Sequence, residues 1–273
     1  MGEPQKDNSV AIQPKSEITS EQLREKIIKD PSFLPTHEDI FRAFNPEGYL
    51  TDNYKTYLQE DWLSLVYREE NPVFELLNKE YIDALGNYLS KQAEDLSATV
   101  DNPITILEVC AGNGRLTHFL RENLEQKIPG KIKMYAIDSG ESEGFTIETN
   151  FPVEKLDHKT AIEKYKPQII LCSWMPMDKD LSADFRTAAS VKEYILSGYP
   201  ESCGDEWSTY GLNFSGQDEY KEREGQIPPY EIDGFKQNDL DEVHKYQISR
   251  VDKPRVEKYF KSDSYTISFK REK

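Results

Sequence analysis

Ile104-Thr105-Ile106-Leu107-Glu108-Val109-Cys110, then Ala111-Gly112-Asn113-Gly114, then Arg115-Leu116-Thr117, is the stretch that decides the fold. Its first seven residues are a nearly unbroken apolar run, the pattern of a strand buried on both faces. Gly112 and Gly114 interrupt that run, and Leu116, Phe119, Leu120 and Leu124 then recur at helical spacing. A strand that turns through glycines into a helix builds a ligand crevice. Glycine lets a ligand lie against the backbone, and the helix head offers unpaired N–H groups with a partial positive charge. In a parallel sheet such a turn lies at the carboxyl edge, where ligands bind.

Further strands follow on the same pattern. Lys131 to Ile137 ends at Asp138, and a short Val153 to Leu156 ends at Asp157. Pro167 to Trp174 and Glu193 to Gly198 read as the fourth and fifth, and His244 to Val251 and Ser264 to Arg271 as the closing pair. Helical segments are expected at Arg115 to Gln126, Ala161 to Tyr165 and Asp180 to Ala189. The alternation predicts an α/β fold, a seven-stranded and mostly parallel sheet with helices on both faces.

The N-terminal third differs. Residues 1–18 are polar and read as a disordered tail. Thr19 with Gln22 and Thr36 with Asp39 are capping boxes, and Pro31 ends the first helix. Another helix is expected from Tyr54 to Arg68. A longer one starts with Asn71 as N-cap and Pro72 at its first position, with Phe74, Leu77, Tyr81, Leu85, Tyr88 and Leu89 on its apolar face. Residues 19–102 thus form a helical extension, either a lid or a packing layer, that holds Tyr49, Tyr54, Tyr57, Trp62 and Tyr67. Residues 103–273 form the α/β domain. Within it 201–242 is an acidic, irregular insert with 12 acidic against 3 basic residues, a local charge of −9.

Over its 273 residues the chain has 50 acidic and 34 basic residues, a net charge of −16. That balance argues against a binder of nucleic-acid backbone, which clusters Lys and Arg. No apolar run is long enough to span a membrane, and the first residues carry neither a signal-peptide pattern nor a myristoylation signal. Three cysteines, Cys110, Cys172 and Cys203, make no disulfide framework and fit a reducing compartment, cytoplasm or nucleus. His37, His118, His158 and His244 lack metal-ligand spacing with them.

The glycine turn misses the dinucleotide fingerprint in both registers. Counting from Gly112 its third glycine would be Thr117, and counting from Cys110 the first and third positions are Cys110 and Arg115. A Walker Gly-Lys-Ser/Thr is absent. The stretch resembles instead the first motif of the class I S-adenosylmethionine-dependent methyltransferases: an acid and an apolar residue, then Gly-x-Gly-x-Gly after the first strand. Glu108, Val109, Gly112 and Gly114 match it, and Cys110 stands at the first glycine. Asp138, 24 residues beyond Gly114, falls where that family bonds the cofactor ribose. Asp157, or neighbouring His158, falls where it contacts the adenine. Ser173-Trp174-Met175-Pro176 takes the place of the fourth motif but lacks the Pro-Pro-aromatic of enzymes that methylate nucleic-acid amino groups. The resemblance covers about 103–271.

It implies an antiparallel last strand and S-adenosylmethionine as cofactor. The cofactor site would comprise Glu108, Cys110, Ala111, Gly112, Asn113, Gly114, Asp138, Ser139, Asp157, His158, Ser173 and Trp174. It further implies methyl transfer to a small-molecule or protein acceptor, driven mainly by proximity and orientation. The alternative is a methyltransferase-like binding or scaffold protein without turnover. Plain structural roles stay open for each residue: a tight turn for the glycines, a cap for Asp138 or Asp157, packing for Trp174 and for Cys110 with Cys172. The acidic insert suggests a cationic acceptor, or else serves solubility.

Overall fold

The computed structural model describes residues 18–44, 73–140, 150–212, 225–252 and 264–272. Helices α1 (Ser20–Lys29), α2 (His37–Phe44) and α3 (Lys79–Asp95) precede the sheet. Strand β1 (Ile104–Val109) leads into α4 (Arg115–Lys127), followed by β2 (Ile132–Asp138), β3 (Glu154–Lys155), α5 (His158–Tyr165), β4 (Ile169–Ser173), α6 (Ser182–Thr187) and β5 (Glu193–Gly198). The chain ends with α7 (Glu206–Tyr210), α8 (Pro229–Ile232), β6 (Phe235–Asp239), α9 (Asp241–His244) and β7 (Tyr265–Arg271).

The seven strands lie in the order β3-β2-β1-β4-β5-β7-β6. β1 sits between β2 and β4, parallel to both, and β7 alone runs against its neighbours β5 and β6. This is the Rossmann-like methyltransferase order. It brings the ends of β1 and β4 together at the point where the strand order reverses, the usual ligand crevice of an open α/β sheet.

Alternation along the strands sorts the core. Ile106, Ile169, Leu171 and Ile195 meet α3, α4 and α9 through Leu85, Leu89, Leu120, Leu124 and Val243. Leu107, Val109, Ile170, Tyr194 and Leu196 point to the other face, against Ile162, Phe185, Tyr210 and Tyr230 of α5 to α8. A third cluster unites Leu23, Ile40, Ala43 and Phe44 of α1 and α2 with Leu76 and Ile248. Both N-terminal capping boxes form as the sequence predicts.

Two expectations are corrected. Residues 244–251 are not a strand: His244 ends α9, and the sixth strand is Phe235–Asp239, inside the segment read as an irregular insert. Ile248 and its neighbours are buried for another reason. They pair with residues 74–76, through Leu76 N–H to the Ile248 carbonyl (2.8 Å) and Arg250 N–H to the Phe74 carbonyl (2.9 Å). The same pairing keeps Phe74 and Leu77 out of the helix, so α3 starts at Lys79 with Asn78 as its N-cap. The expected cap Asn71, Pro72, the helix over 54–68, Tyr49 and most of the tail lie outside the described residues, as does 213–224 of the acidic insert.

Asn78 is fully buried. Its side-chain oxygen accepts from Tyr81 N–H (2.8 Å), and its amide donates to the Tyr246 carbonyl (2.8 Å), which ties α3 to the segment after α9. Asn78→Ala removes the cap and strands the carbonyl, so it should cost about 2 kcal/mol or more in urea unfolding. Asn78→Ser, which keeps an oxygen acceptor for the cap and puts no acceptor against the Tyr246 carbonyl, should cost less. Equal losses in both variants would contradict the capping role.

Candidate functional site

The crevice is built around the end of β1. Glu108 is buried there, and its Oε2 accepts from Thr117 N–H (3.0 Å) and from the Thr117 hydroxyl, one turn into α4. This carboxyl holds the head of the helix to the strand it leaves. Burial pushes it up to about 7, against the lowering effect of the Thr117 bonds, and the Asp138 charge adds to the rise. Cys110 then takes a left-handed backbone, φ +58°, a conformation that favours glycine. The family's glycine position is thus filled by a cysteine that still adopts glycine's geometry. Ala111 N–H bonds the Ile137 carbonyl (3.0 Å), and Asn113 Oδ1 accepts from Arg115 N–H (3.2 Å).

The two glycines have different duties. Gly114, at φ +78°, is the N-cap of α4, and a Cβ there would lie 2.7 Å from Val153. Gly112, at φ +54°, faces open space, with nothing within 4 Å of such a Cβ. Its N–H donates to Asp138 Oδ2 (3.0 Å), and Gly140 N–H donates to Oδ1 (2.8 Å). Asp138, partly exposed with Ser139 beside it at the end of β2, is thereby locked against the turn while lone pairs remain on both oxygens.

Asp157 and His158 follow β3 but turn to other partners. Asp157 is the exposed N-cap of α5, accepting from Thr160 N–H (3.0 Å). His158 Nε2 lies 2.8 Å from Asp184 Oδ2 on α6. Asp157, the residue expected to contact an adenine, thus caps α5 through one of its carboxylate oxygens.

Ser173 ends β4, in register with Ser197 of β5. Trp174 is left-handed, φ +56°, and its indole Nε1 donates to Glu75 Oε2 (2.8 Å) while Phe74 packs on it at 5.4 Å. Glu75 was not singled out from the sequence. A lone charge inside Val73-Phe74-Glu75-Leu76-Leu77 was its only signal. The Cys110 thiol and then burial hold the adjacent Cys172 thiol up, and burial pushes Cys203 up to about 12. Protonated thiols of this kind are packing groups rather than nucleophiles. His118 stacks on Phe151 (4.0 Å) beside the turn, and His244 on Tyr265 (4.9 Å).

The N-terminal helices reach the same place. Arg115, at the head of α4, donates from Nε to the Pro31 carbonyl and from Nη2 to the Phe33 carbonyl, both at 3.0 Å. The link between α1 and α2 is thereby clamped onto the helix that the glycine turn opens. Among the described residues no helix is long and apolar enough to cross a membrane, and no three His, Cys, Asp or Glu side chains form a metal-ligand group.

No family model matches the chain, and no curated protein does. Solved structures do. The DszA carbon methyltransferase matches with a TM-score of 0.36 at 15% identity, over 69% of this chain and 54% of its own length. The CurJ carbon methyltransferase matches with 0.39 at 13%, over 93% of this chain and 67% of its own. The plantazolicin methyltransferase BpumL in complex with SAH matches with 0.31 at 10%, over 92% and 99%. This chain therefore spans about half the length of the first. The strand order and the lone antiparallel β7, rather than these distant likenesses, identify the fold as that of the class I methyltransferases.

An ordinary glutamate ionises near 4.5, so between there and about 7 the folded chain keeps a proton on Glu108 that the unfolded chain has lost. The contribution to stability is whole below 4.5 and is lost as pH rises through 7. At about 1.4 kcal/mol per unit, the loss is on the order of 3 kcal/mol. Glu108→Gln keeps an acceptor for Thr117 but does not titrate. The wild type should therefore lose that amount relative to the variant between about pH 4 and pH 8 in denaturant unfolding. A pH-independent difference would refute the assignment.

Proposed function

We propose that the chain is a methyltransferase that binds S-adenosylmethionine over the turn at Cys110 to Gly114 and passes its methyl to a cationic small-molecule or protein acceptor. The observation that carries the reading is Gly112: left-handed, with open space where a side chain would stand, and bonded to the acid that ends the next strand. This cradle suits a ligand lying against backbone, and the remaining lone pairs of Asp138 suit a ribose diol. Glu108 fixes the turn from below, and Trp174 walls the crevice at the neighbouring strand end.

Bound there, the cofactor would supply an already activated methyl group, so the acceptor would need only a correctly placed lone pair. What remains for the protein is to orient the acceptor and exclude water. On this reading Ser173 and Trp174, at the end of β4, would face the acceptor and the cofactor, and the acidic composition of 201–242 would favour a basic acceptor by long-range attraction.

Calorimetry with S-adenosylhomocysteine tests the reading, and absence of binding by the intact protein would overturn it. Gly112→Val should abolish binding by filling the cradle. Asp138→Ala should weaken it about tenfold or more, the value of one or two charge-assisted hydrogen bonds. Gly114→Val should instead act mainly on stability, because its Cβ meets Val153 rather than the crevice.

A further inference from the structure

The link between α1 and α2 runs from the head of one helix to the head of another. At one end the guanidinium of Arg115, the first residue of α4, donates to the Pro31 and Phe33 carbonyls, both at 3.0 Å. At the other, Lys79 N–H at the start of α3 donates to the Pro35 carbonyl (2.9 Å), and His37 N–H donates to Glu80 Oε2 (2.7 Å). Leu34, between the two ends, packs on the cluster that α3 and α4 share. Both helix heads lie at the carboxyl edge of the sheet. α4 leaves the glycine turn, and the Tyr81 hydroxyl in the first turn of α3 bonds the Ser197 hydroxyl near the end of β5 (2.8 Å).

The link is shaped to receive a fork. Asp30 Oδ1 accepts from Ser32 N–H (3.0 Å) and from the Ser32 hydroxyl (2.6 Å), and the Asp30 carbonyl accepts from Phe33 N–H (3.1 Å). That turn aims two carbonyls, two residues apart, at one guanidinium whose planar donors are fixed relative to each other. The arm made by α1 and α2 also keeps a core of its own. Leu23, Ile40, Ala43 and Phe44 gather with Leu76 and Ile248, apart from the two clusters that cover the sheet. An element with so small a core opens locally more readily than the sheet does.

Resting on the methyltransferase reading, we propose that Arg115 couples occupancy of the cofactor crevice to the docking of the α1–α2 arm: a bound cofactor holds the arm down, and an empty crevice lets it open. The two roles meet within four residues. Gly112 faces open space, Asn113 Oδ1 accepts from Arg115 N–H (3.2 Å), and the Arg115 side chain reaches the arm. A ligand lying on Gly112 orders this turn and, with it, the first residue of α4. The guanidinium then loses less freedom when it meets the two carbonyls. Docking becomes more favourable without any direct contact between ligand and arm. Linkage makes the effect mutual, so the docked arm tightens the cofactor by the factor by which the cofactor holds the arm.

Hydrogen exchange read by mass spectrometry on the whole chain, with and without saturating S-adenosylhomocysteine, tests this. In the wild type the amides of α1 should exchange about fivefold or more slowly with the ligand bound, the lower end of ordinary coupling between sites. In Arg115→Gln, which cannot span both carbonyls, exchange in α1 should be fast and the same with or without ligand. Calorimetry on that variant should find S-adenosylhomocysteine bound correspondingly more weakly. Arg115→Lys keeps the charge without the fork. It should show part of the protection, and it carries the test if the glutamine variant does not fold. Exchange in wild-type α1 that ignores the bound ligand would overturn the proposal, as would full protection in either variant. Failure of the wild type to bind S-adenosylhomocysteine would overturn the underlying cofactor reading instead.

Discussion

The bond between the Glu108 carboxyl and Thr117 is the constraint on which the crevice depends. It spans the glycine turn from beneath and fixes the end of the central strand to the first turn of α4. With that distance fixed, the five residues between must double back, and Cys110, Gly112 and Gly114 all adopt left-handed backbones to do so. The turn then presents Gly112 N–H to Asp138, and the ends of β1 and β2 close on one another. A carboxylate in this position is held under tension between two demands. Its bonds to Thr117 favour the charge, and its burial opposes it.

Trp174 is the second fixed point. Like Cys110 it leaves its strand through a left-handed residue, so β1 and β4 both end in a non-glycine residue at positive φ. Conformations of this kind cost on the order of 1–3 kcal/mol each and persist where surrounding contacts over-determine them. Around Trp174 those contacts are the Ser197 carbonyl, Glu75 and Phe74, with Arg250 stacked over Phe74 at 4.4 Å. The layered arrangement of Arg250, Phe74 and Trp174 makes the pre-sheet segment part of the crevice wall rather than a separate appendage.

The central sheet was legible in the sequence because β1, β4 and β5 are buried almost throughout and each carries consecutive apolar residues, while β2 ends in the apolar Ala136 and Ile137 before Asp138. β6 was not. It is an edge strand that buries Phe235 and leaves Lys236, Asn238 and Asp239 exposed, so its composition reads as loop. Ile248 and Ser249 misled in the opposite sense, since their burial comes from pairing with residues some 170 positions earlier. No local pattern records such a contact. In the site, the glycines and Asp138 were readable from spacing, and the structure brings them together. Asp157 was readable as the end of a short strand, but the sequence does not distinguish a ligand carboxylate from a helix cap. Glu75 escaped notice because what matters about it is the company of Trp174 and Gln247, each far away along the chain.

The place of β7 bears on how the molecule assembles. β6 pairs with β7 alone, and β7 slots between it and β5 although it is made last. As the chain emerges from a ribosome, β6 has no strand to join until β7 follows. Until then β5 presents an open backbone edge with Tyr194, Ile195 and Leu196 at its centre, the sort of surface another nascent chain adds to. The polar character of β6 fits this order of events. Its Lys236 and Asp239 make it a poor partner for a stray strand, so the segment that waits is also the one least able to aggregate.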